Sequence, residues 1–165
     1  MMDRERLKQV VCEAIDQRRQ RVIDVGESIM DEPELGFKEV RTAERVGQVF
    51  EEAGLEYETG LALTGVKGVL RGARPGPTVA LMGELDSLIV PDHPRADPAT
   101  GAAHACGHHA QIGMMLAVAA ALPEPEVREP LHGSVALMAV PAEEYIELGY
   151  RQGLVGDGKI EFMGG

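Results

Sequence analysis

The sequence predicts an α/β domain, in which helices pack against a β-sheet, and three observations support this class. Apolar residues recur at helical spacing near the N-terminus, short apolar runs rich in β-branched residues follow, and a long apolar segment lies before the last such run. An order of helices, strands, helix and strand is typical of layered α/β domains. With 165 residues, the chain is long enough to bury a core of its own.

Two amphipathic helices are expected first. From Arg4 to about Met30, apolar residues recur every three or four positions among charged ones, which indicates a helix with one buried face. The segment DEPELG then interrupts this pattern with a proline and a glycine. A second helix is expected after Thr42 as its N-cap, with Gly54 as the glycine that ends it.

Three strand candidates follow, at residues 55–60, 65–72 and 78–86. The segment ARPGPT between the second and third is expected to be a hairpin connection. The third candidate, TVALMGELD, has the pattern of a buried central strand that ends in acids. After a polar loop, a buried helix is expected from about Gly107, and SVALMAV predicts a further buried strand that ends at PAEE.

Composition excludes several classes of function. The net charge of −11 opposes nucleic acid, which is bound mainly through Lys and Arg, and opposes an anionic membrane surface. No apolar run reaches the about 18 residues of a membrane-spanning helix, and the N-terminus lacks the pattern of a signal peptide. Cys12 is expected to be a buried helix residue, and two cysteines make no disulfide scaffold, so a cytoplasmic location is predicted.

The segment TGAAHACGHHAQIG carries most of the chemistry. It places His104, Cys106, His108 and His109 within six positions, in a chain that has five histidines and two cysteines. Thiolate and imidazole are ligands for zinc and similar divalent ions, and Cys-x-His spacing lets one turn present both side chains to the same ion. The other histidines lie in polar loops and are expected to be solvated.

Two acidic pairs follow strand candidates. Glu84 and Asp86 end TVALMGELD, and Glu143 and Glu144 follow SVALMAV. Because sites in open α/β sheets form beyond the carboxyl ends of strands, these acids and the Cys-His cluster are expected to converge. One glutamate of an adjacent pair can ligate a metal while the other acts as general base on water. Taken alone, PAEE fits a solvated turn better than a site.

These motifs resemble the amidohydrolase branch of the zinc peptidase family that includes aminoacylase, glutamate carboxypeptidase and the indole-acetyl-amino-acid hydrolases. The matching segments, within residues 24–144, are DEPELGFKEVRTAERVGQVFEEAGLEYETG, LTGVKGVLRGARPGPTVALMGELDSL, TGAAHACGHHAQ and GSVALMAVPAEE. The resemblance implies a three-layer α/β/α catalytic domain that hydrolyses an amide bond in N-acyl amino acids or small peptides. It also implies a centre of two divalent ions, with zinc, manganese, cobalt and nickel as candidates.

The same resemblance implies roles for five residues. Cys106, His108 and Glu144 are predicted metal ligands, and Glu143 is the predicted general base that activates water. Asp86 is predicted to contact a metal ligand and fix its orientation without binding the metal itself.

Three departures from the family pattern indicate a distinct subgroup. His109 replaces an aspartate, Gln111 replaces a second histidine, and Met-Gly-Glu replaces Arg-Ala-Asp before the second acid. His109 is a candidate extra ligand or a donor to a ligand. Members of the family are much longer and supply at least two further histidine ligands, whereas no histidine follows Glu144 here.

Two functions therefore compete. Residues 1–165 are expected to be the N-terminal portion of the catalytic domain of a metal-dependent amidohydrolase, without its lid or dimerisation domain and the C-terminal part, and weakly active or inactive alone. The full-length form would act on a small-molecule amide or peptide and is a candidate homodimer. The alternative is a non-catalytic metal-binding or dimerising remnant. A third hypothesis has Cys106 as nucleophile with His108 or His104 as base. It is disfavoured because two positions apart is an awkward spacing for such a pair and because PAEE has no role in it.

Overall fold

The structure, a computed structural model, describes residues 3–164. The helices are α1 (Arg4–Asp31), α2 (Val40–Glu52), α3 (His108–Ala121), α4 (Pro125–Arg128) and α5 (Leu148–Gly156). The strands are β1 (Glu56–Leu61), β2 (Gly65–Arg71), β3 (Arg74–Glu84), β4 (Leu88–Ile89), β5 (Ala102–Ala103) and β6 (His132–Val140). Among the described helices, none is both long enough and apolar enough to cross a membrane.

Four strands form one mixed sheet in the order β1–β2–β6–β3. The β1–β2 and β2–β6 pairs are antiparallel, whereas β3 runs parallel to β6. The predicted hairpin at ARPGPT is wrong, because β6 lies between β2 and β3 and provides the pairing partners of both. Most of that segment belongs to β3 itself, which begins at Arg74.

The helix boundaries follow local hydrogen bonds. Asp3 caps α1 by accepting a hydrogen bond from the backbone nitrogen of Arg6 at 2.8 Å. The predicted N-cap Thr42 instead lies inside the first turn of α2, where its backbone nitrogen and its hydroxyl both donate to Glu34 at 2.9 Å. Gly54 follows α2 with a φ of 67°, as predicted for the glycine that ends a helix. The fifth helix, α5, lies in a segment for which no element was predicted.

The core lies between the sheet and the first three helices. The main helix–sheet contacts join α2 to β1 and β2, and α3 to β3 and β6. Phe50 from α2, Ile112 and Leu116 from α3, and Leu137 from β6 are fully buried in this core. Burial of aliphatic side chains therefore provides most of the apolar stabilisation in a chain that has few aromatics.

Several apolar residues lie outside the core that the sequence predicted. β3 is an edge strand, and Val79 and Met82 on it are 62% and 54% exposed. Met114 is 66% exposed on α3 although its neighbour Met115 is buried, and Cys12 is exposed on α1. The prediction of a buried central strand at β3 is therefore wrong, because apolar runs do not reveal which strand lies at the edge of a sheet.

This difference between β6 and β3 gives a stability prediction. Because Leu137 is fully buried, Leu137→Ala is expected to lower the free energy of unfolding by about 2–5 kcal/mol. Val79→Ala at the exposed edge is expected to change it by less than about 0.5 kcal/mol. Urea unfolding of both variants measures the two values, and equal losses would contradict the edge position of β3.

Candidate metal centre

Two parallel strands bring the acids together. β3 ends at Glu84 and β6 ends at Val140, and these two residues are partners in the parallel register. The segments that carry Asp86 and the pair Glu143–Glu144 therefore leave the sheet at the same edge. This arrangement is the convergence at the carboxyl ends of strands that the sequence predicted.

The start of α3 brings the Cys-His pair to the same edge. α3 begins at His108, and its N-cap residue Gly107 has a φ of 102°, a conformation that glycine adopts readily. The sulfur of Cys106, a ring nitrogen of His108 and a carboxylate oxygen of Glu144 all lie within 4.8 Å of one another. Three donors of the types that zinc accepts therefore meet at one point.

The buried ring of His108 has a partner at each nitrogen. Nδ1 lies 2.8 Å from the backbone oxygen of Asp86 and 3.4 Å from its carboxylate, whereas Nε2 lies 2.9 Å from a carboxylate oxygen of Glu84. An Nδ1–H group that donates to a carbonyl leaves Nε2 as the nitrogen available to a metal. Asp86 therefore contacts the ring of His108 through its backbone oxygen and through its carboxylate.

Asp86 connects two of the predicted ligands. Its side chain is fully buried, and Oδ2 accepts a hydrogen bond from the backbone nitrogen of Glu144 at 2.9 Å. Oδ1 has no hydrogen-bond partner among the described residues and faces the ring of His108. Burying a carboxylate costs free energy unless polar contacts compensate for it. The contacts of Asp86 with His108 and Glu144 provide this compensation, and they also hold the two segments together.

Four carboxylates surround the single imidazole. Carboxylate oxygens of Glu143 and Glu144 lie 3.8 and 3.9 Å from Nε2 of His108, on the same side as that of Glu84, whereas the carboxylate of Asp86 lies near Nδ1. Burial lowers the pKa of His108, but hydrogen bonds to Asp86 and the charges of Asp86 and Glu84 outweigh it and raise this pKa to about 9. A bound cation neutralises such an excess of negative charge, so these residues fit a divalent ion.

The pKa of Cys106 is also raised. Partial burial is the main cause, and the neighbouring carboxylate of Glu144 adds to it. The thiol is therefore protonated at neutral pH and is a poor nucleophile, which weakens the hypothesis of a catalytic cysteine. As a metal ligand, Cys106 must lose this proton when the ion binds.

Glu84 and Gln111 have positions that the sequence did not resolve. Glu84, His108 and Glu143 form a second group whose ligand atoms lie within 4.8 Å of one another. The side-chain oxygen of Gln111 accepts a hydrogen bond from the backbone nitrogen of Glu84 at 2.7 Å. Gln111, one of the departures from the family pattern, therefore fixes the backbone of an acid at the site. The motif ELD contained the signal for Glu84.

His104 and His109 lie outside both groups of ligand atoms. Their rings are 5.5 Å apart, and neither nitrogen of the buried His104 ring has a hydrogen-bond partner within residues 3–164. Burial, with smaller contributions from His109 and His108, lowers the pKa of His104 to about 4, so its ring is neutral at neutral pH. His109 lines a shallow groove between α1 and α3, beside Gly26 and Glu27.

Known proteins resemble this chain over the same segments. The sequence profile of Peptidase family M20/M25/M40 matches residues 80–162. Thermostable carboxypeptidase 1 of Saccharolobus solfataricus is 35% identical over 127 residues, which are 74% of this chain and 32% of that protein. IAA-amino acid hydrolase ILR1-like 4 of Arabidopsis thaliana is 38% identical over 128 residues, which are 74% of this chain and 28% of that protein. The chain thus spans about a third of the length of these relatives.

A solved structure agrees with the sequence matches. The YXEP protein of Bacillus subtilis, described as a dinuclear metal binding peptidase from the M20 family, matches with a TM-score of 0.70 and 28% sequence identity. The match covers 87% of this chain and 40% of that chain. It confirms the predicted α/β class, and the matched profile includes both the Cys-His cluster and PAEE. The chain therefore belongs to Peptidase family M20/M25/M40.

Proposed function

We propose that this chain contributes the core of a metal-dependent amidohydrolase site that hydrolyses N-acyl amino acids or small peptides. The observation that carries the proposal is the meeting of Cys106, His108 and Glu144 at one point beside Glu143. The names of the two relatives, a carboxypeptidase and an amino acid conjugate hydrolase, support the same class of reaction. A mixed set of sulfur, nitrogen and oxygen donors suits zinc, with manganese, cobalt and nickel as alternatives.

The proposed ligands divide the binding of the ion among three chemical types. Cys106 would bind as a thiolate, His108 through Nε2 of a neutral ring, and Glu144 through a carboxylate oxygen. When bound, a divalent ion polarises the amide carbonyl and makes a water molecule more acidic. Asp86 holds the ring of His108 and the backbone of Glu144 in place.

Glu143 is the proposed general base. Its side chain is about half exposed, so water reaches its carboxylate, which lies 3.8 Å from Nε2 of His108. Partial burial, followed by the charges of Glu84 and Glu144, raises the pKa of Glu143, and a higher pKa makes a carboxylate a stronger base. Glu143 takes a proton from water, the water oxygen attacks the amide carbon, and the same proton passes to the leaving nitrogen as the C–N bond breaks.

The activity of a complete enzyme requires more than these residues. The resemblance to the family implies further histidine ligands, and the sequence contains no histidine after Glu144. We propose that residues 1–165 form the N-terminal portion of a catalytic domain and that a two-ion site also uses ligands from outside this range. Dimerisation is proposed only for the complete protein and not for residues 1–165.

Glu143→Gln is expected to separate hydrolysis from metal binding. Loss of a general base lowers turnover by about 10²–10⁴-fold, whereas zinc binding persists because Glu143 is not one of the three ligands. Hydrolysis of N-acetyl amino acids by the zinc-loaded chain and zinc titration measure the two effects. Glu129→Gln, at an exposed position on the other side of the domain, is the matched control.

Two results would contradict this assignment. Loss of zinc binding together with activity in Glu143→Gln would make Glu143 a ligand, and unchanged activity would exclude it as the base. Measurable hydrolysis by the unmodified chain that Glu143→Gln abolishes would exclude the alternative function, a metal-binding module without catalysis.

A further inference from the structure

The turn that carries the two glutamates has a strained backbone. Ala142, in residues 141–144, has a φ of 56°, in the left-handed region that residues with a Cβ avoid. We call residues 141–144 the acidic turn. Because Ala142 directly precedes Glu143 and Glu144, its conformation sets the direction in which both carboxylates leave the sheet. Something in the fold must hold Ala142 in this region.

Glu39 holds the acidic turn from the side of α2. Its side chain is fully buried, and Oε1 accepts a hydrogen bond from the backbone nitrogen of Ala142 at 2.8 Å. Oε2 accepts a hydrogen bond from the hydroxyl of Thr64 at 2.7 Å. Although Glu39 occupies the N-cap position of α2, its side chain makes no capping hydrogen bond. Helix capping therefore does not explain this buried carboxyl group, whereas contact with the turn does.

Arg151 holds the acidic turn from the side of α5. Only 1% exposed, its guanidinium donates hydrogen bonds to the backbone oxygens of Ala142 at 2.9 Å and of Glu144. A further hydrogen bond reaches the backbone oxygen of Met163 at 2.7 Å. No carboxylate of the described chain forms an ion pair with Arg151. A buried guanidinium without an ion pair is costly, so its position depends on the carbonyl groups that it binds.

The surrounding sequence leaves room for this guanidinium. A Cβ atom at Gly36 would lie 2.5 Å from Nη2 of Arg151 and 3.0 Å from Cβ of Ala142. Glycine at this position therefore allows both the arginine and the strained alanine to pack here. With Asp86 bound to the backbone nitrogen of Glu144, buried charged side chains hold the backbone nitrogens and oxygens of both Ala142 and Glu144.

We propose that Glu39 and Arg151 are positioning residues that hold the acidic turn in its strained conformation and thereby place Glu143 and Glu144 for metal binding. Neither residue touches the reacting atoms. The inference rests on the proposed function, because the position of the turn matters to catalysis only if Glu143 and Glu144 have the roles given above.

Glu39→Met tests the proposal because methionine has a similar volume but no oxygen acceptor. Hydrogen exchange at the backbone amides of Ala142 and Glu144 is expected to speed up at least about tenfold, the effect of one lost hydrogen bond. Exchange at Leu137, in the middle of β6, is expected to stay unchanged. The dissociation constant for Co²⁺, followed by the absorption of the cobalt–thiolate bond, is expected to rise at least about tenfold.

Three further variants distinguish positioning from a general loss of packing or charge. Glu39→Gln keeps a carbonyl acceptor for Ala142 and is expected to restore most of the protection and of the Co²⁺ affinity. Glu44→Met, at an exposed position of α2, is expected to behave as the unmodified chain does. Arg151→Lys keeps the positive charge but cannot bind two carbonyl groups as a guanidinium fork does, so it is expected to resemble Glu39→Met.

The outcomes separate this inference from the proposed function. Normal protection of Ala142 and Glu144 in both Glu39→Met and Arg151→Lys would overturn the inference, as would lost protection with unchanged Co²⁺ affinity. If the unmodified chain binds no Co²⁺, the proposed function fails, and hydrogen exchange alone decides whether the two residues hold the turn. If Glu39→Met does not fold, Arg151→Lys decides the same question.

Discussion

Replacing Cys106 and His108 together by alanine is expected to abolish zinc binding by this chain. The double variant removes the sulfur and the nitrogen donor and leaves only the carboxylate of Glu144 from the three atoms within 4.8 Å. Loss of a residue that orients a metal ligand lowers metal affinity by about 10–100-fold. Each single replacement removes a ligand itself and is therefore expected to weaken zinc binding by more than this. Zinc titration by calorimetry, with a competing chelator, measures both the stoichiometry and the affinity.

The chain offers a matched control for this experiment. Cys12 on α1 and His132 at the start of β6 are residues of the same types, and both are exposed and outside the candidate centre. The variant Cys12→Ala/His132→Ala is therefore expected to bind zinc as the unmodified chain does. Unchanged stoichiometry in Cys106→Ala/His108→Ala would contradict the proposed centre. Equal loss in both double variants would indicate that zinc binds any cysteine or histidine of the chain.

The convergence of the candidate ligands was predictable because it depends on uncommon residue types in local order. Cys106 and His108 stand two positions apart, and the acidic pair directly follows an apolar strand pattern, so both features are visible in the linear sequence. The rule that parallel strands present their carboxyl ends at one edge then predicted that the two would meet. The structure brings the acids together through the β3–β6 pair, and the start of α3 brings Cys106 and His108 to the same edge.

The sheet order was less predictable. Local patterns located β2, β3 and β6 within a few residues, but they contained no information on which strand pairs with which. A connection as short as the one after β2 suggests a hairpin, whereas β6, which comes some sixty residues later, lies between the two strands. Long-range pairing decides such an order, and it follows from the whole core rather than from any one segment.

The supporting residues of the centre were not predictable from sequence for a different reason. Glu39 and Arg151 are single charged residues in a chain that is 26% charged, and charged residues mostly lie on protein surfaces. Only the tertiary structure shows that Glu39 and Arg151 are buried. The family resemblance predicted metal ligands and a base, because their motifs match, but it gave no role to Glu39 or Arg151.

Metal affinity is expected to rise steeply with pH. In the metal-free chain the pKa of His108 is about 9 and the pKa of Cys106 is raised, so both side chains are protonated at neutral pH. Binding requires both without their protons and is expected to release about two protons per ion. Below pH 8 the affinity is therefore expected to rise up to about a hundredfold per pH unit, or about ten-thousandfold between pH 6 and 8. Calorimetry in buffers of different ionisation enthalpy counts the protons.

The free energy of unfolding of the metal-free chain is expected to fall as the pH rises, whereas the metal affinity rises. The pKa of His108 is raised in the folded state, so the folded chain binds its proton more tightly than the unfolded chain does. This contribution is fully present below about pH 6.5, the ordinary pKa of histidine, and is lost as the pH rises through about 9. Urea unfolding in the presence of a chelator, between pH 6 and 9.5, measures the loss.

Asp86→Asn tests whether the carboxylate of Asp86 causes the pH dependence of both the metal affinity and the stability. Without the carboxylate, the main cause of the raised pKa of His108 is removed, so this pKa is expected to fall toward its ordinary value. Near pH 7.5 the ring is then mostly neutral, and binding is expected to release about one proton, mainly from Cys106, instead of about two. At high pH, where His108 and Cys106 are both deprotonated, the metal affinity is still expected to be about 10–100-fold lower, because the residue that holds His108 is impaired.

Asp157→Asn, at an exposed position after α5, controls for the loss of one negative charge. If the Asp86→Asn variant still releases about two protons for each metal ion bound, the carboxylate of Asp86 is not the cause of the raised pKa of His108. If its metal affinity at high pH equals that of the unmodified chain, Asp86 does not hold a metal ligand.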